Sequence, residues 1–79
     1  MRFSEAMREV MRLTKTTQAG LAEADGVRCS AVQRMCSRMG NPSVRVLSRR
    51  LARMGYRVAL VPEGAALPEA CMVIDPAEE

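Results

Sequence analysis

Eight arginines and no acidic residue stand between Gly26 and Pro62. A guanidinium is permanently charged, and its planar fork of N–H donors matches phosphate and carboxylate oxygens. A field of one sign therefore predicts a polyanionic partner, nucleic acid first, with a merely solvated basic face as the plainer alternative. The cysteines Cys29, Cys36 and Cys71 form no C-x-x-C pair, and the chain has no histidine. A zinc site is not expected from that inventory, and the cysteines read as reduced thiols in a cytosol. Acid–base or nucleophilic chemistry lacks carriers too: there is no phosphate-cradling glycine loop and no carboxylate cluster in the part expected to be ordered. The chain is expected not to be an enzyme and to need no cofactor or metal.

The charges are segregated along the chain. Residues 1–62 carry twelve basic and four acidic residues, a net +8, whereas residues 63–79 carry five acidic and no basic ones, a net −5. That split predicts a basic body with an acidic tail that folds over the basic face and weakens non-specific DNA binding. The N-terminus, MRFSEAMREV, alternates charged with apolar residues and is not a signal peptide. No apolar run is long enough to cross a membrane, so a soluble cytoplasmic protein with no membrane partner is expected.

Seventy-nine residues make one small domain with little core to bury, which favours a partner subunit. Only Phe3 and Tyr56 are aromatic, so Leu, Val, Ala and the seven methionines must fill that core. Four helical stretches are expected. Ser4 caps the first, which runs to about Leu13 with Phe3, Met7, Val10 and Met11 near one face. Thr16 or Thr17 caps the second, which Asp25-Gly26 ends. The third runs from about Cys29 to Arg38, with Val32, Met35 and Met39 inward and Cys29 and Cys36 on a similar side. After the break at Gly40, Asn41 and Pro42, Ser43 caps a fourth whose apolar stripe is Val44, Leu47, Leu51 and Met54.

Beyond Gly55 the period becomes two, with Tyr56, Val58 and Leu60 on one side of an extended segment that Pro62 stops. A lone strand needs a partner, either a second copy of itself or a return strand, for which Cys71 to Ile74 is the candidate. The chain thus divides into a helical unit at 1–55, a dimerisation strand at 56–61 and an acidic tail at 62–79.

Two short helices around a tight glycine turn make a helix-turn-helix, whose second helix enters the DNA major groove. Ala22 lets the helices cross closely, Gly26 makes the turn, and Leu21, Val27, Val32 and Met35 are spaced to be buried. Arg28, Cys29, Ser30, Gln33 and Arg34 are left facing outward.

The stretch T-Q-A-G-L-A-E-A-D-G-V resembles the T-Q-x-x-L-A-x-x-x-G-V signature of the phage Cro/CI and XRE-type repressors. The stretch G-N-P-S-V-x-x-L resembles that family's loop into its next helix, and L-A-R-M-G-Y-R-V-A-L-V resembles the helix end and strand of HipB-like antitoxins. The likeness covers roughly Thr16 to Val61. It implies a mainly α, lambda-repressor-like bundle of about four helices followed by a C-terminal β-strand, or a β-hairpin, used for dimerisation. It also implies base contacts from Arg28, Cys29, Ser30, Gln33 and Arg34, with Arg suited to guanine and Gln to adenine. Gln18, Arg38, Asn41, Ser43 and Arg45 take positions that approach phosphates in that family, although turn and cap chemistry also accounts for Asn41 and Ser43. The pattern is broken at Asp25, where the family usually has an apolar residue, at Gly20, a poor helix former, and at Cys36, where many relatives carry an acid that braces the turn.

Two functions are expected from these residues. The first is a homodimeric repressor or autoregulator of double-stranded DNA, with the antitoxin of a toxin–antitoxin pair as its nearest variant and the segment from Glu63 to Glu79 meeting a toxin or the second subunit. The second is a small phage-type inhibitor, for example an anti-CRISPR protein, that reuses the fold to bind a protein or ribonucleoprotein; Asp25, Gly20 and the acidic tail favour it. Arg45, Arg49 and Arg53, spaced by four, could follow a phosphate backbone, meet a partner's acidic tail or be solvated.

Overall fold

A computed structural model describes residues 1–75 and is mainly helical, with four helices: α1 (Phe3–Leu13), α2 (Gln18–Asp25), α3 (Cys29–Met35) and α4 (Val44–Arg53). The core is built from Met7, Val10 and Met11 of α1, Leu21 and Ala22 of α2, Val32 and Met35 of α3, and Leu51 and Met54 at the end of α4. Phe3, Val27, Leu47, Tyr56 and Met72 pack around it half-buried. No helix among the described residues is long and apolar enough to cross a membrane.

Local chemistry explains most of the boundaries. The Thr17 hydroxyl accepts from the Gly20 amide at 2.9 Å and starts α2, while Gly26 ends it with φ at 67°, a conformation that a side chain would strain. The Ser43 hydroxyl accepts from the Val46 amide at 3.2 Å and starts α4. Ser4, expected as the first cap, is instead buried: α1 begins two residues earlier with Arg2 at the cap position, so Ser4 lies in the first turn facing inward.

The third helix is shorter than its expected span to Arg38. It stops at Met35, and the Ser37 hydroxyl donates to the Arg34 carbonyl at 2.7 Å, closing a turn where the helix would have continued. Met39, expected inward, therefore lies outside the helix and is 88% exposed. Val44 is also exposed, because as the first residue of α4 it precedes the turns that meet the core.

Gly40 fixes the next turn by close approach. A Cβ there would stand 2.3 Å from the Met35 carbonyl oxygen and 2.7 Å from that of Arg34. Gly40→Ala is expected to push the loop off α3 and to cost about 1–3 kcal/mol, the range for overpacked sites, read as a lower urea midpoint at unchanged slope.

Residues 56–75 contain no strand. Among the described residues no backbone hydrogen bond joins 56–61 to 71–74, the two segments of the expected hairpin. The intervening linker instead lays the segment along α1 and α4, around an apolar cavity of about 540 Å³ lined by Phe3, Met7, Val10, Leu47 and Leu51 on the helical side. The Asp75 amide donates to the Met1 carbonyl at 2.9 Å, and the Asp75 carboxylate pairs with the N-terminal ammonium.

Candidate nucleic-acid interface

The turn from Ala22 to Val27 is closed by the Val27 amide on the Ala22 carbonyl at 3.0 Å and the Gly26 amide on that of Glu23 at 3.2 Å. It brings α3 back across α2 so that Val32 and Met35 are buried between the helices. With those two inward, Arg28, Cys29, Ser30, Gln33 and Arg34 are all exposed, as their spacing predicted. Arg28 is the residue at the N-cap of α3 but its side chain makes no cap bond, which leaves its guanidinium to solvent or a ligand.

Around this row stand the residues expected near phosphates. Gln18 opens α2 half-buried, while Arg38, Asn41, Ser43 and Arg45 are exposed along the loop after α3 and the start of α4. Ser43 spends one acceptor on the cap of α4. Arg34 and Asn41 border a shallow cleft of about 180 Å³ whose floor includes Ala31, Met35 and Val46. Among the described residues, Arg28, Arg34, Arg38 and Arg45 have no ion-pair partner. The structure thus brings together a row of base-edge-sized donors and acceptors with four unopposed guanidiniums. Such a surface can grip an anionic backbone while presenting Arg and Gln to base edges.

Tyr56, Val58 and Leu60 do not share one environment. Tyr56 is half-buried against the core, Val58 is exposed, and Leu60 is 98% exposed.

One cluster of the site was not foreseen. The Asp25 side chain is fully covered and accepts from three arginines of α4. Arg49 supplies a fork, Nε to Oδ1 at 2.7 Å and Nη2 to Oδ2 at 2.9 Å; the Nε atoms of Arg50 and Arg53 each add a bond at 3.0 Å. Arg50 is itself buried, 6% exposed, and its Nη1 reaches the Met35 sulfur at 3.5 Å. The hydrogen bonds from Arg49 above all, joined by those from Arg50 and Arg53, hold the Asp25 carboxyl well below the usual carboxylate range against the opposing effect of burial. The end of α2, the end of α3 and the middle and end of α4 are tied at one point behind the turn. Of the arginines spaced by four on α4, Arg49 and Arg53 are therefore held by an acid of their own chain, a fourth arrangement beside the three expected, and only Arg45 is left unpaired. A sequence signal existed: Asp25 is the last acid before Glu63.

Cys29 is exposed but Cys36 is buried, with its Sγ 3.5 Å from the Met11 sulfur: Cys36 keeps helical backbone angles and its amide donates to the Val32 carbonyl, so it follows Val32 and Met35 onto the inner side, while Cys29 stands in the uncovered first turn. Burial pushes the Cys36 thiol up, away from the reactive thiolate. Of the acids in the expected tail, Glu63 and Glu69 are exposed and Asp75 pairs with the N-terminus rather than with an arginine, while Glu78 and Glu79 lie outside the described residues. No family model, no curated protein and no solved structure matches this chain.

Proposed function

We propose that this chain is a sequence-specific double-stranded DNA-binding repressor that acts as a homodimer and regulates its own gene, with an antitoxin of a toxin–antitoxin pair as its nearest variant. The observation that carries this reading is the α3 row, with Arg28, Cys29, Ser30, Gln33 and Arg34 exposed beside unopposed arginines on a short helix behind a glycine turn. Arg28 and Arg34 read guanine edges, Gln33 an adenine edge, and Cys29 and Ser30 fit against the groove floor. Gln18, Arg38, Asn41, Ser43 and Arg45 set the register on the phosphates. Pairing of residues 56–61 between two copies places the two α3 helices about one DNA turn apart on a palindromic site. The inhibitor reading loses one of its supports, since Asp25 is consumed inside the fold.

Fluorescence anisotropy against the DNA upstream of its own gene and a shuffled duplex tests this reading. The expected preference is at least about a thousandfold. Arg34→Ala is expected to lower affinity for the upstream DNA by roughly tenfold or more, the loss of one bidentate base contact per half-site, while the shuffled duplex loses far less. Equal binding to both duplexes, indifferent to Arg34→Ala, would overturn the proposal and favour a protein or ribonucleoprotein partner.

A further inference from the structure

Arg45, Arg49 and Arg53 recur every four residues on α4, which sets them about 6 Å apart along the helix axis. Left free, such a row would follow any nucleic-acid backbone without regard to sequence. Two of the three are not free. Arg49 has committed its Nε–Nη2 edge, the pair of donors that grips a phosphate in parallel, to both oxygens of Asp25, and Arg53 has committed its Nε. With the bond from Arg50 the carboxylate accepts four N–H donors, which fills its four lone-pair sites. The carboxylate is covered by the guanidiniums that bind it. Asp25 thus supplies from within the chain the pair of anionic oxygens that a phosphate would otherwise offer these arginines.

We infer that Asp25 is a specificity-determining residue: by engaging Arg49 and Arg53 internally it withholds them from DNA phosphates and leaves the contact around α3 to the unpaired Arg28, Arg34, Arg38 and Arg45. The inference deepens the DNA-binding reading and rests on it. Non-specific affinity grows with the number of phosphates neutralised, whereas specificity is the ratio of specific to non-specific binding. An internal anion that removes sequence-blind contacts from the face behind the turn raises that ratio without adding a base contact.

Binding of the full chain to a random duplex, titrated over NaCl concentration, tests it with Asp25→Asn, Arg53→Gln and wild type. Asp25→Asn is expected to bind random duplex several-fold more tightly at low salt. Its slope of log K against log salt should steepen by at least about 0.9, the increment for one more phosphate neutralised. Arg53→Gln is expected to leave both affinity and slope at the wild-type values, because Arg53 touches Asp25 and not DNA. A merely structural role for Asp25 would not steepen the salt slope. Arg53→Gln flattening the slope by about 0.9 would overturn the inference, as would a folded Asp25→Asn with the wild-type slope. Should Asp25→Asn fail to fold, Asp25→Leu combined with Arg50→Met, which also frees Arg49 and Arg53, replaces it and is expected to steepen the slope in the same way. Loss of the upstream preference in wild type would sink the repressor reading, while the slopes on random duplex would still judge Asp25.

Discussion

Asp25→Leu is expected to destabilise the chain by about 3 kcal/mol, near the lower end of what breaking a buried ion pair costs. The deciding partner is Arg50, buried and left with only the Met35 sulfur once the carboxylate is gone. Arg49 and Arg53 stay nearly half in water and re-solvate, so they add little to the loss. For a domain of this size that is a fall in thermal midpoint of at least about 12 °C, followed by circular dichroism. Asp25→Leu combined with Arg50→Met should recover most of it, since replacing both members of a buried pair by apolar groups is often neutral. A single Asp25→Leu chain within about 0.5 kcal/mol of wild type would show that water screens the whole cluster. The acid limb provides a second check. The folded carboxyl sits below its unfolded value of about 3.9, so its contribution is present above that pH and is lost as pH falls through and below it. Asp25→Leu should therefore have a flatter stability profile between about pH 5 and pH 2 than wild type.

The same residue shows where the sequence stops being legible. Thr17, Gly26 and Ser43 act through neighbours within three or four positions, and their roles could be read from residue type and spacing. So could the outward row of α3, which follows from where Leu21, Val32 and Met35 are buried. Asp25 acts on residues at least 24 positions away, and that partnership exists only once α4 has crossed behind the turn. Short-range competition hid the rest. The end of α3 is decided by the Ser37 hydroxyl and the close packing of Gly40, which displaces Met39 from the inner face that a continuing helix would have given it. The fate of residues 56–61 cannot be read from one chain at all, because a strand is defined by the backbone it pairs with.

Leu60→Asp is expected to leave the helical unit folded and to abolish dimerisation. Residues 57–61 make no backbone hydrogen bond to the rest of the described chain, and Val58, Leu60 and Val61 expose apolar surface along that same run. Unpaired donors and acceptors beside apolar side chains form an edge that a second copy can complete about a two-fold axis. At Leu60, almost wholly exposed, a carboxylate costs the single chain nothing. In a symmetric pair it sets two like charges against a surface being dried, and pairing fails. Light scattering should report a dimer for wild type and a monomer for Leu60→Asp at the same concentration. Affinity for a palindromic upstream site should fall by about a hundredfold or more, the avidity of two linked half-site contacts, with little change on random duplex. Tyr56→Ala separates the two roles of the segment: Tyr56 packs on the core of its own chain, so its loss should lower the thermal midpoint of the monomeric Leu60→Asp chain as well. A Leu60→Asp chain that remains dimeric would place the subunit contact on another face, with the apolar groove beside α1 and α4 the next surface to mutate.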